Sequence, residues 1–104
     1  MNSGNEEPRY VISIAARMIG VQTHTLRYYE KVGIIEPFRS RGKIRLYTDR
    51  DVALLKRVRT LMDELGVNLA GVEVILRMAQ HLTELQRDIE ELQSEIDRLK
   101  EPEL

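Results

Sequence analysis

Cysteine is absent from this sequence, and only two histidines, His24 and His81, are present. Disulfides, thiolate metal centres and cysteine nucleophiles are thereby excluded. Two imidazoles also fall short of an ordinary zinc ligand set. Aromatic residues are scarce as well, four tyrosines and one phenylalanine, with no tryptophan. No apolar run approaches the roughly 20 residues of a membrane-spanning helix. Residues 1–8 are acidic and polar and lack the apolar stretch of a secretory signal, so a cytoplasmic protein is expected. Acidic pairs occur at Asp49 with Asp51 and at Glu90 with Glu91, but no nucleophile or glycine-rich phosphate loop stands near them. Neither enzymatic activity, nor a cofactor, nor a bound metal is expected.

What is present is a strong division of charge. The net charge of -1 conceals twelve lysines and arginines against six acids through residue 60, and four against eleven beyond it. The first part carries +6 and the second -7, a division that points to a polyanion-binding part joined to something else. A merely dipolar soluble protein is the alternative.

Apolar periodicity organises the basic part. Residues 1–9 read as a disordered tail. Ser13 is a plausible N-cap for a short helix carrying Ile14, Ala15, Met18 and Ile19, which Gly20 interrupts. A second helix is expected from about Thr23 to Lys31, with Leu26 and either Tyr29 or Tyr28 facing inward and Gly33 at its end. Two short helices around a glycine turn form a helix-turn-helix. Such a motif sets its second helix in the major groove, where Thr23, His24, Thr25 and Arg27 would meet bases or phosphates. Capping by the threonines and plain exposure of His24 are the alternatives.

The stretch PFRSRGKIRLY, residues 37–47, follows with Pro37 against a helix and Gly42 between two alternating segments. It reads as a β-hairpin whose four cations, Arg39, Arg41, Lys43 and Arg45, form a wing along phosphates or else a solvated basic loop. Arginine suits bidentate phosphate contact. Thr48 to Asp51 has the form of a capping box at the start of a helix bearing Val52, Leu55, Val58, Met62 and Leu65, with Gly66 beyond it. Asn68 can cap the next helix.

From there Leu82, Leu85, Ile89, Leu92, Ile96 and Leu99 alternate steps of three and four, the a and d positions of a heptad. This narrow stripe with acidic flanks is expected to close a homodimer as a coiled coil, and packing against its own domain is the alternative. The stripe extends backward through Met78 and Ile75, which leaves a bend near Gln80 open. The adjacent Tyr28 and Tyr29 lie about 100° apart on a helix, so one ring can pack inward while the other offers its hydroxyl beside Arg27 to a phosphate.

The ordered set Leu26-Arg27-Tyr28-Tyr29-Glu30, Gly33, Pro37 and Arg45-Leu46-Tyr47 before a helix carrying Asp51 resembles the winged-helix domain of MerR-type transcription regulators. The likeness covers about residues 10 to 100, and ELGVNLAGVEVIL, residues 64–76, is similar to the heat-shock repressor branch (HspR) and less closely to the glutamine-synthetase repressor branch (GlnR). The resemblance implies a mainly α fold: a winged helix-turn-helix over 10–80, a dimerising coiled-coil helix over 81–101 and a tail over 102–104. It also implies an antiparallel dimer on an inverted repeat, DNA contacts at Thr23, His24, Arg27, Tyr29, Arg39 and Arg45, and repression of heat-shock, chaperone or other stress genes with DnaK as a co-repressor. Three positions depart from the family's pattern. Gln22 stands where a better N-cap is usual, the wing has one residue more between Gly42 and Arg45, and neither a cysteine pair nor a sensor domain follows. An excisionase-like DNA-bending factor or a protein-interaction adaptor is the competing reading, which the heptads disfavour.

Overall fold

The computed structural model describes residues 6–102, and the chain divides into two compact units, residues 1–68 and 69–104. In the first, a two-residue strand β1 (Tyr10–Val11) runs directly into helix α1 (Ile12–Ile19). Helix α2 (Thr23–Lys31) follows, then strands β2 (Phe38–Arg39) and β3 (Arg45–Tyr47), and helix α3 (Asp49–Arg59). A π-helical turn (Thr60–Glu64) extends α3. The second unit holds helix α4 (Leu69–Lys100).

Local chemistry explains most of these limits. Gly20 ends α1 in the left-handed conformation at φ 89°, and its N–H and that of Val21 both donate to the Ala16 carbonyl. This satisfies helix-end carbonyl capacity at a position that disfavours a Cβ. The expected cap at Ser13 does not occur: α1 starts at Ile12, its N-cap is Val11, and no side chain caps it. Strand β1 delivers the chain to α1 already extended at Val11. The capping box is present, with the Asp51 N–H donating to Thr48 Oγ1 at 2.9 Å and the Thr48 N–H to Asp51 Oδ2 at 3.0 Å.

The sheet order is β1-β3-β2, all antiparallel, with Tyr10 opposite Tyr47, Leu46 between Val11 and Phe38, and Arg39 opposite Arg45. Side chains alternate along a strand. One face therefore carries Tyr10, Tyr47, Arg39 and Arg45, and the other Val11, Leu46 and Phe38. The first face meets the helices. Tyr47 is fully buried, and its hydroxyl has no hydrogen-bond partner among the described residues. Around it the core collects Ala15, Ala16 and Ile19 of α1, Leu26 and Tyr29 of α2, Ile35, and Val52, Leu55 and Val58 of α3.

The disordered tail expected over residues 1–9 is corrected for its last part. The Arg9 N–H donates to the Tyr47 carbonyl, Arg9 and Tyr10 both bond to Asp49, and Arg50 pairs with Glu6. These contacts anchor the segment across β3 and the start of α3. The expectations for residues 1–5 and 103–104 lie outside the described residues.

Helix α4 runs through position 80 as one continuous helix. Its heptad residues Leu82, Leu85, Ile89, Leu92, Ile96 and Leu99 are 44–75 % exposed, and Met78 at 59 % and Ile75 at 37 % are exposed too. On its polar side, Gln86 bonds to Glu90, Gln93 to Asp97 and Arg98 to Glu95, contacts at helical spacing that support an exposed helix modestly. No described helix is long and apolar enough to cross a membrane.

Candidate nucleic-acid interface

Helix α2 buries Leu26 and Tyr29 and exposes His24, Arg27, Tyr28 and Lys31. The spacing accounts for this choice. Leu26 and Tyr29 are three residues apart and share a face, whereas Tyr28 lies two from Leu26 and points elsewhere. Tyr29, where a DNA contact is expected, is 5 % exposed, and its hydroxyl donates weakly to Met62 Sδ at 3.6 Å. Burial, with the Asp63 charge adding to it, raises the Tyr29 pKa and keeps the phenol protonated. The outward phenol is Tyr28, tilted at 50° to Tyr29 with ring centres 6.4 Å apart. It stands beside Arg27 in sequence on the exposed face, the arrangement a phosphate oxygen can use.

At the start of α2, Gln22 provides no side-chain cap, and its backbone carbonyl accepts from the Thr25 N–H at 3.0 Å instead. Thr23 and Thr25 are half-buried, and Thr23 Oγ1 accepts a long bond from Arg27 Nη1 at 3.4 Å. Lys31, one turn beyond Arg27, is a further exposed cation of this face that motif reasoning overlooked. The signal was present, since residues 24, 27, 28 and 31 follow helical spacing.

The wing joins β2 to β3 through residues 40–44. Lys43 N–H donates to the Ser40 carbonyl at 2.8 Å, Ser40 N–H to the Ile44 carbonyl at 3.0 Å, and Ile44 N–H to Ser40 Oγ at 3.3 Å. The extra residue noted in the sequence is absorbed at Lys43, which takes the left-handed conformation at φ 61°, while Gly42 does not have a positive φ. Arg41 and Lys43 are exposed at this tip.

Arg39 and Arg45 converge instead on one carboxylate. Arg45 Nε donates to Glu30 Oε1 at 2.6 Å and Arg39 Nη2 donates to Glu30 Oε2 at 2.9 Å. Bonding from Arg45 chiefly, with Arg39 adding to it and partial burial opposing, holds the Glu30 carboxyl below the usual carboxylate range. The pKa is lowered in the folded protein, so the stabilisation is complete above the ordinary carboxylate range. It is lost as pH falls through the lowered value. Glu30 is thus a site residue that the search for cations passed over. His24 and Arg27 are exposed on α2 and Arg41 and Lys43 at the wing tip, Thr23 and Arg45 are half-buried, and Arg39, although exposed, is bonded to Glu30 and to the Lys43 carbonyl.

Residues 10–79 match the sequence model of the family described as "MerR HTH family regulatory protein". Over 92 residues the chain is 39% identical to the heat shock protein HspR named in Streptomyces coelicolor, covering 88% of this chain and 61% of that protein. Over 77 residues it is 32% identical to the HTH-type transcriptional regulator GlnR of Bacillus anthracis, covering 74% of this chain and 59% of that one. The chain thus spans about three fifths of the length of these relatives. Among solved structures, a MerR-family transcriptional regulator from Bacillus cereus superposes with a TM-score of 0.57 at 27% identity, over 91% of this chain and 86% of that one. The fold is also that of HiNmlR, a MerR family regulator lacking the sensor domain and bound to promoter DNA. There the TM-score is 0.63 at 24% identity, over 88% of this chain and 75% of that one. A match over residues 10–79, with helix-turn-helix, wing and long helix in the same order, settles the assignment: this chain belongs to the MerR HTH family of regulatory proteins.

Proposed function

We propose that the protein is a dimeric, sequence-specific transcriptional repressor that binds an inverted repeat at heat-shock, chaperone or other stress genes. The observation that carries the DNA-binding reading is the exposed face of α2, with His24, Arg27, Tyr28 and Lys31, in one unit with the cationic wing tip of Arg41 and Lys43. His24 and Arg27 would read base edges, and Tyr28, Lys31 and the wing would hold phosphates. Similarity to the protein named HspR supports the stress-gene branch. A chaperone of the DnaK type as co-repressor is part of the same proposal. The exposed stripe from Ile75 to Leu99 supports a homodimer, because single proteins rarely leave so long an apolar seam uncovered. That stripe also disfavours the excisionase-like reading, which needs no such helix.

Selection of duplexes from random DNA on the full chain, followed by salt titration of the selected site, tests this. An inverted repeat should emerge. If two protomers neutralise about 8 phosphates, log affinity falls against log salt with a slope of about -7. A slope shallower than about -3 would show that α2 and the wing do not both engage the backbone.

A further inference from the structure

Arg39 and Arg45 stand directly opposite each other in the wing ladder. Like charges in that arrangement destabilise a strand pair. The structure relieves this with a carboxylate from another element, Glu30 in the last turn of α2, which accepts from both guanidiniums. The two arginines use it differently. Arg39 gives Nη2 to Glu30 and Nη1 to the Lys43 carbonyl at 3.1 Å, so both arms of its fork are engaged inside the chain. Arg45 gives only Nε, and its Nη1 and Nη2 have no partner among the described residues. A guanidinium held by one edge keeps the geometry of its other edge fixed, which is the edge that matches two phosphate oxygens.

We infer that Glu30 is a positioning residue for DNA binding: it fastens Arg39 as an internal tie between wing and α2, and orients Arg45 so that its free Nη pair meets a backbone phosphate. This rests on the DNA-binding reading above and deepens it by giving two similar wing arginines different tasks. The left-handed Lys43 belongs to the same device, since its carbonyl is the second anchor of Arg39. Without Glu30 the two cations repel, and Arg45 must be ordered by the phosphate itself at an entropic cost.

A double-mutant cycle on the full chain tests the inference, using a fluorescein-labelled duplex selected from random DNA by the parent. Glu30→Ala should weaken binding about tenfold, and Glu30→Gln less, because its carbonyl oxygen still accepts from Arg45 Nε. In an Arg45→Ala background Glu30→Ala should cost nothing further. Arg45→Ala should make the salt slope shallower by about 1 per protomer, while Arg39→Ala should leave it as in the parent. A full tenfold loss from Glu30→Ala in the Arg45→Ala background would overturn the inference, because Glu30 would then act through the fold alone. Tighter binding by Glu30→Ala would overturn it too, showing the carboxylate to be a competitor of phosphate. Either result with a parent that binds its duplex leaves the DNA-binding reading standing. A parent that selects no duplex overturns both. Exchange of the Arg45 Nε–H, followed by NMR without DNA, reads the tie independently. It should be slow in the parent and fast in Glu30→Ala, and equal rates would remove the positioning role.

Discussion

Residues 1–68 and helix α4 spend their apolar side chains in contrasting ways. In the first unit Tyr47, Leu26, Leu55 and Val58 are essentially inaccessible, and three short strands and three helices enclose them. In α4 the apolar residues at the heptad positions lie open along the surface. The charges contrast too, with twelve cations against eight acids through residue 68 and four against nine beyond it. Under the proposed function, the first unit meets an anion and the second a copy of itself. An apolar stripe on an isolated helix adds little to stability, because helices depend on packing of that stripe. The difference implies that the two units fail separately, and substitutions can probe this.

The largest effect is expected from Ile89→Asp. It places a carboxylate in the middle of the seam, where a buried unpaired charge costs several kcal/mol. Sedimentation should show a shift to monomer while the thermal unfolding of the first unit stays in place. Operator affinity should fall by roughly 10²–10⁴, the gain lost when one of two linked half-sites is released. Affinity for a single half-site should hardly change. A variant that remains dimeric with full operator affinity would assign the stripe another role.

Substitutions in α2 sharpen the contrast from the other side. Arg27→Ala and His24→Ala should narrow the gap between operator and random duplex by roughly 1–3 kcal/mol where a base contact is lost. Arg45→Ala should instead weaken both duplexes alike, because phosphate contacts carry no sequence information. All three should sediment as the parent does. If operator preference is unchanged in both α2 variants, the base-reading residues lie elsewhere.

Thr48→Ala removes the side-chain half of the capping box and should lower the stability of the first unit by about 1 kcal/mol. The expected readout is an earlier denaturant midpoint with an unchanged dimer dissociation constant. A matched loss of dimerisation would mean that the two units unfold as one.

The smallest effect concerns the wing tip. A left-handed backbone costs a residue with a side chain roughly 1–2 kcal/mol, and glycine largely avoids this. Lys43→Gly should therefore stabilise the first unit by about 0.5–1 kcal/mol after the entropy of the added glycine. It should also make the salt slope shallower by about 1 per protomer through the lost cation. Thermal unfolding that shifts downward would show that the lysine side chain supports the turn.

Much of this architecture was legible where one residue type enforces one geometry. Gly20 and Gly33 marked helix ends, Thr48 with Asp51 marked a helix start, and the steps from Leu82 to Leu99 marked a stripe. What escaped was set by tertiary context. β1 is two residues long, too short to show alternation, and exists because β3 offers it an edge. The site was readable to the extent that its cations cluster, but cationic character alone could not divide Arg39 from Arg45. That division depends on Glu30, fifteen residues before Arg45 and on a different element. The choice between Tyr28 and Tyr29 was readable in principle from the spacing to Leu26. The extra wing residue was visible as a departure, yet its absorption by Lys43 rather than Gly42 follows from the hydrogen bonds of the closed turn.

The order of the small sheet has a consequence for behaviour in concentrated solution. With β3 in the centre, the outer edges belong to β1 and β2, each only two residues long. An exposed edge invites pairing with another chain in proportion to its length and flatness, and charge on it discourages such pairing. Here one edge passes at once into a helix and the other carries Arg39, flanked by a cationic loop. Two wings crowded side by side therefore have no ladder long enough to zip into a shared sheet. The wing can extend from the body of the protein without becoming a seed for aggregation.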